Sequence, residues 1–102
     1  MKYELVRTGR FQRDCKKYGY ILSDGTYKDP LKSALNTLAS GNMLDSTYED
    51  HKLSGKWKGY REFHVEFDLV CVYKIQEKQL ILEAVRLGTH HDVFGDSELI
   101  TI

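Results

Sequence analysis

Residues 59–87, GYREFHVEFDLVCVYKIQEKQLILEAVRL, decide the fold. Their first part alternates, with Tyr60, Glu62, His64 and Glu66 on one side and Arg61, Phe63, Val65 and Phe67 on the other, as a strand demands. Phe63 and Val65 then point into a core, while Glu62 and His64 share the opposite face. Glu66-Phe67-Asp68 reads as a hairpin turn. The next run, LVCVYKI at 69–75, is nearly continuous apolar and rich in β-formers, which suits a central strand covered on both sides. Gln76-Glu77-Lys78 is a second turn, and 79–87 is a third strand ending at Arg86. Turns this short make the three strands an antiparallel meander.

Upstream, residues 2–7 (KYELVR) alternate as a short strand with Tyr3 and Leu5 on one side. Thr8 and Gly9 offer a helix start. Phe11, Cys15, Tyr18 and Leu22 recur at helical spacing, and Gly19 predicts an end near residue 19. A second helix is signalled by Asp29 as a cap, Pro30 in the first helical position, a stripe of Leu31, Ala34, Leu35 and Leu38, and Gly41 as terminator. Residues 42–58 read as irregular, anchored by Met43, Leu44, Tyr48 and Leu53. The loop 88–95 reads as a coil or one-turn helix. The expectation is one α+β domain over 1–102, in the order β-α-α-β-β-β. An antiparallel sheet carries a two-helix hairpin on one face, and the other face is left open for binding. Residues 96–102 read as a tail.

Composition bounds the function. With 15 basic and 15 acidic residues the chain is neutral, so any affinity for a polyanion must come from charge distribution. Lys52, Lys56, Lys58 and Arg61 form such a run, with no acid between them, focusing positive potential on one surface. Cys15 and Cys71 are far apart without a CxxC spacing and read as buried reduced thiols. No apolar leader or 18-residue apolar run is present, which predicts a cytoplasmic protein without a membrane span.

His51, His64 and His90 are candidate proton-transfer groups, because imidazole titrates near neutrality. RNA cleavage by 2′-OH attack asks for a base, an acid and cations on the phosphorane-like transition state. An aromatic such as Phe94, Trp57 or Tyr60 would stack on a base. Each of these groups also has a plain reading, as a solvated histidine or a packed aromatic. A metal site is not expected, since His90 and His91 are adjacent and no HxxxH or HExxH spacing occurs. No cofactor is expected either.

The segment Asp50-His51-Lys52-Leu53 is followed by Gly55-Lys56-Trp57-Lys58-Gly59-Tyr60-Arg61, and then by His64-Val65-Glu66 with Asp68. Beyond these come Val72-Tyr73-Lys74 and Arg86-Leu87-Gly88-Thr89-His90 with Phe94-Gly95. Together they resemble the YafQ-type toxins of the RelE/ParE superfamily over about residues 30–95. The resemblance implies an mRNA endoribonuclease working in the ribosomal A site, silenced by a cognate antitoxin whose extended segment wraps it. It puts active-site histidines at His51, His64 and His90, carboxylates at Glu62 and Asp68, a phosphate-binding arginine at Arg86 and an aromatic at Phe94. His90 would be the acid, and His64 or His51, helped by Asp68 or Glu62, the base. Lys52, Lys56, Lys58 and Arg61 would contact mRNA or ribosomal RNA. Glu62 departs from the family's aspartate, His91 matches no motif position, and residues 18–28 look longer than in the family. The alternatives are a ParE-like toxin that binds DNA gyrase without catalysis, or an inactive toxin that only binds its antitoxin.

Overall fold

The computed structural model describes residues 1–95; the tail 96–102 lies outside the described residues. The strands are β1 (Glu4–Arg7), β2 (His51–Lys52), β3 (Arg61–Glu66), β4 (Leu69–Gln76) and β5 (Ile81–Gly88). The helices are α1 (Gly9–Lys17), α2 (Leu31–Ala39) and α3 (His90–Phe94). One sheet contains all five strands in the order β1-β5-β4-β3-β2. The meander β3-β4-β5 is antiparallel, as its short turns require. β4 is central, as its apolar run predicts.

The sheet as a whole is mixed, because β1 runs parallel to β5 with Glu4 opposite Ile81 and Arg7 opposite Ala84. Alternation says which residues share a face and is silent on strand direction, and no hairpin links β1 to β5. β2 is also additional to the expected order. It is two residues long, below the length at which a pattern can be read, and exists because His51 and Lys52 pair with Glu62 and Arg61.

α1 and α2 share one core with the sheet. Phe11, Cys15, Leu31, Ala34, Leu35 and Leu38 pack with Phe63, Val65, Cys71, Tyr73, Leu82 and Leu87. Burying each large apolar side chain contributes about 1.5–3 kcal/mol. Thr8 caps α1 by accepting from the Phe11 N–H at 3.0 Å. Its own hydroxyl donates to the Val85 carbonyl, 2.9 Å away, tying the helix start to β5. Pro30 takes the cap position of α2, one residue earlier than expected, while Asp29 accepts from the Ser33 N–H at 2.9 Å. Gly41, at φ 85°, closes α2 with hydrogen bonds from Gly41 to Leu38 and from Asn42 to Thr37. Leu22 falls outside the apolar stripe and is exposed, because α1 already ends at Lys17.

The far face of the sheet is not bare. Leu53, Val70, Val72, Val93 and Phe94 form a second cluster there, edged by Trp57, Tyr60 and Val85. α3 roofs it, approaching so closely that a Cβ on Gly88 would meet Val93 Cγ2 at 3.2 Å. Asp92 fastens α3 to α1 by accepting from Tyr18 and from Lys17 Nζ at 3.0 Å.

Candidate functional site

The site grows from one end of this far face, where β2, β3 and the start of α3 meet. Glu62 is fully buried on β3. The pairing of β2 puts His51 beside it, with Nε2 3.0 Å from Glu62 Oε2. His51 Nδ1 lies 2.7 Å from the Glu49 carbonyl and donates to it. Thr89 caps α3, accepting from the Asp92 N–H at 3.1 Å, and delivers His90 to the same carboxylate. His90 Nε2 lies 3.0 Å from Glu62 Oε2 and Nδ1 3.1 Å from Asp68 Oδ1. His64 completes the group, its ring centroid 5.6 Å from that of His90 and 6.4 Å from that of His51.

The partners set the proton roles. Both nitrogens of His90 face carboxylates, so the ring donates twice only as the imidazolium. Burial works against that charge, but the bonds to Glu62 and Asp68 outweigh it and hold the His90 pKa above its ordinary value. His90 in turn, through its side chain and its N–H, holds Asp68 below the usual carboxylate range. His64 Nδ1 lies 3.2 Å from the Phe67 carbonyl, which can only accept, so Nδ1 donates to it. Of the carboxylates expected beside the base, Asp68 is bonded to His90, and Glu62 is shared between His90 and His51. One further oddity marks Glu62: its Oε1 is buried without a hydrogen-bond partner among the described residues, a cost that core carboxylates rarely carry.

Several expected members stand elsewhere. The guanidinium of Arg86 does not meet Glu62 or His64 but is bonded to Asp14 on α1, Nε to Oδ2 at 2.8 Å and Nη2 to Oδ1 at 3.5 Å. The cause is local: β1 stops pairing at Ala84, and Asp14 covers the open edge of β5, also accepting from the Leu87 N–H at 2.9 Å. Arg61 lies on the helix side of β3, bonded to Asp50 at 3.2 Å and Tyr73 at 3.2 Å, as its alternation with His64 required. Glu66 leaves the histidine face because the β3-β4 register shifts between His64 and Glu66, and it accepts from Tyr20 instead. Phe67, expected on the core face, is 98% exposed at the hairpin tip. Phe94 is buried, stacked on His90 with centroids 6.0 Å apart and edge-on to Trp57 at 5.4 Å. It supports His90 from behind. Lys52, Lys56 and Lys58 are exposed, with Lys52 opposite Arg61 at the β2 edge of the sheet.

Asp14 is the residue that sequence reasoning missed. Its signal was an acid three residues after Phe11 and four before Tyr18, inside the apolar stripe of α1. The cysteines are buried and unpaired as expected, Cys15 pushed up to about 12, first by burial and then by the charge of Asp14. The cluster Glu62, His64 and His90 also offers three metal-ligating atoms within 4.8 Å of one another. No helix of the described residues is long and apolar enough to cross a membrane.

A family model described as "Bacterial toxin of type II toxin-antitoxin system, YafQ" matches residues 3–95. The chain belongs to the YafQ toxin family. It is 38% identical over 95 residues to the mRNA interferase toxin YafQ of Escherichia coli (strain K12), spanning 90% of this chain and 96% of that one. Among solved structures, a metal-bound toxin from Helicobacter pylori superposes with a TM-score of 0.78 at 32% identity, covering 92% of this chain and 100% of that one. The toxin of the E. coli DinJ-YafQ toxin-antitoxin complex superposes with a TM-score of 0.75 at 31% identity, covering 93% and 100%. The YafQ fold of these relatives is thus the α+β arrangement described above.

Proposed function

We propose that this chain is the toxin of a toxin–antitoxin module and an mRNA endoribonuclease that stops translation, working in the cytoplasm on mRNA in the ribosomal A site. The observation that supports the reading is the His64–His90 pair, ring centroids 5.6 Å apart, with a carbonyl beside one ring and two carboxylates beside the other. His64 Nε2 takes the proton from the 2′-OH, and the 2′-oxygen attacks the adjacent phosphorus. The bond to the 5′-oxygen breaks as His90 gives that oxygen its proton, leaving a 2′,3′-cyclic phosphate and a 5′-OH. Charge building on the phosphorane is met by His51, His90 and the exposed lysines Lys52, Lys56 and Lys58, and not by a freely moving Arg86. Base and acid are imidazoles and the reaction moves only protons, so a metal is not required in this scheme.

The relatives support the activity by their name, and the DinJ-YafQ complex supports a cognate antitoxin as partner. The test is induction of the chain followed by primer extension across transcripts and analysis of the cut ends. Expected are cuts bearing 5′-OH ends, absent with His90→Ala while the antitoxin still binds. Arrested replication with DNA damage and intact transcripts would show a gyrase-directed toxin and overturn the reading.

A further inference from the structure

We propose that the Phe67 ring is a stacking platform for an mRNA base beside the bond that is cut. The proposal rests on the nuclease reading above and adds a substrate-positioning residue to it. Phe67 sits at the tip of the β3–β4 hairpin, 98% exposed, and belongs to neither hydrophobic cluster. A lone exposed apolar side chain is ordinary. This one differs because the tip around it is held fast. Glu66 accepts from Tyr20, the Phe67 carbonyl accepts from His64 Nδ1 at 3.2 Å, and Asp68 lies 3.1 Å from His90 Nδ1. Three successive residues are pinned, and only the middle ring is left to solvent. Turn chemistry does not call for it either: turns favour Gly, Pro, Asn, Asp and Ser, a preference that Asp68 meets and Phe67 does not.

The anchors of the tip are the groups that the proposed reaction uses. Through its carbonyl, the Phe67 Cα stands within about 6 Å of His64 Nδ1, and the next residue holds His90. The ring borders a cleft of about 430 Å³ shared with Tyr18, Glu66, Asp68, Leu69 and Thr89, and Thr89 directly precedes His90. That volume falls in the range of small-ligand clefts. Carboxylates on both sides of Phe67 disfavour a phosphate at the tip. What the tip offers is an uncharged aromatic face, and the base is the part of a nucleotide that such a face receives. The aromatics nominated from the sequence are already engaged. Phe94 is 5% exposed, and Trp57 stands edge-on to it at 5.4 Å and to Tyr60 at 5.3 Å. A ring with two side-chain torsions on a pinned backbone loses little freedom on stacking. Any base can stack, and a purine, with the larger face, stacks best.

The experiment compares the full chain with Phe67→Ala, Phe67→Leu and Phe67→Trp on programmed ribosomes. All three variants keep the carbonyl that holds His64, and melts matching the parent chain are expected for so exposed a side chain. The apparent KM for mRNA should rise about tenfold in Phe67→Ala and Phe67→Leu, with kcat within about twofold, and stay at or below the parent value in Phe67→Trp. An abasic nucleotide beside the cut should cost the parent chain as much, and cost Phe67→Ala nothing more. An unchanged KM in Phe67→Ala, or Phe67→Leu matching Phe67→Trp, overturns the platform. Normal cleavage by Phe67→Ala with weakened antitoxin binding reassigns the ring to a protein contact and overturns it too. An mRNA 2′-O-methylated at the cut, with 2-aminopurine beside it, separates the platform from the nuclease reading. Fluorescence quenched by the parent chain and not by Phe67→Ala, from a toxin that cuts no unmethylated RNA, supports the platform while refuting the nuclease.

Discussion

Two carboxylates are buried among the described residues, Asp14 at 5% exposure and Glu62 at 0%, and their surroundings differ in kind. Asp14 spends both oxygens on permanent donors: Arg10 at 3.3 Å, Arg86 at 2.8 Å and the Leu87 N–H at 2.9 Å. These donors are two guanidinium groups and a backbone amide, so both oxygens stay paired. Glu62 shares one oxygen between two imidazoles, each at 3.0 Å, and leaves the other unpaired. Its partners are imidazoles, and the pKa of one of them, His90, is held, against burial, above its ordinary value by the bonds to Glu62 and Asp68. The same residue class thus makes a fixed strut on one side of β5 and, on β3, the centre of the candidate site. The difference lies in whether the partners can titrate and whether every oxygen is satisfied.

The largest test of that contrast is on the working side. His90→Ala should lower cleavage by about 10²–10⁴-fold, the usual worth of a general acid, measured on purified toxin with programmed ribosomes. A loss below tenfold would move the acid elsewhere. On the strut side, Asp14→Ala leaves the partly covered Arg86 and the Leu87 N–H without their acceptor and should cost about 3 kcal/mol in denaturant unfolding. The decisive pairing is Glu62→Gln, expected to change stability by only about 1 kcal/mol or less while cutting activity about 10²-fold. Equal destabilisation by the two changes would erase the distinction between strut and site.

Finer tests use pH and salt. In the proposed reaction His90 gives its proton only when protonated, and its folded pKa is raised, so the alkaline limb of activity should fall as pH rises through that raised value. Asp68→Asn removes one of the groups that raise it and should move the alkaline limb of the pH–rate profile to lower pH. By the same linkage, the stability from pairing His90 with its carboxylates is complete below the ring's unfolded pKa. It is lost as pH rises through the folded one. The smallest effect is expected at the exposed Lys58. Lys58→Ala should reduce the slope of log affinity for single-stranded RNA against log salt by about 0.7 without changing kcat.

Local patterns carried much of this. The period-2 face of β3 put Glu62 with His64 and Phe63 with Val65, and those placements hold up to the register shift before Glu66. The continuous apolar run of β4 announced a strand packed on both sides, and Val70 and Val72 indeed face one cluster while Cys71 and Tyr73 face the other. The α2 stripe and its glycine stop were legible for the same reason, since each depends on residues within a few positions of one another.

What local periodicity does not encode was decided by the fold. The direction of β1 and the existence of β2 depend on partners 77 and 11 residues away, Glu4 on Ile81 and His51 on Glu62. Arg86 looked free because Asp14, lying 72 residues earlier, met it only once α1 had crossed the end of β5. The sequence by itself determined which side chains could carry protons and which strand face they would occupy, because residue type and period-2 geometry suffice for that. Which carboxylate meets which ring, and which of these side chains come together, were decided only in three dimensions. Those answers are hydrogen bonds and ångström-scale distances between β2, β3 and α3, and no local spacing records them.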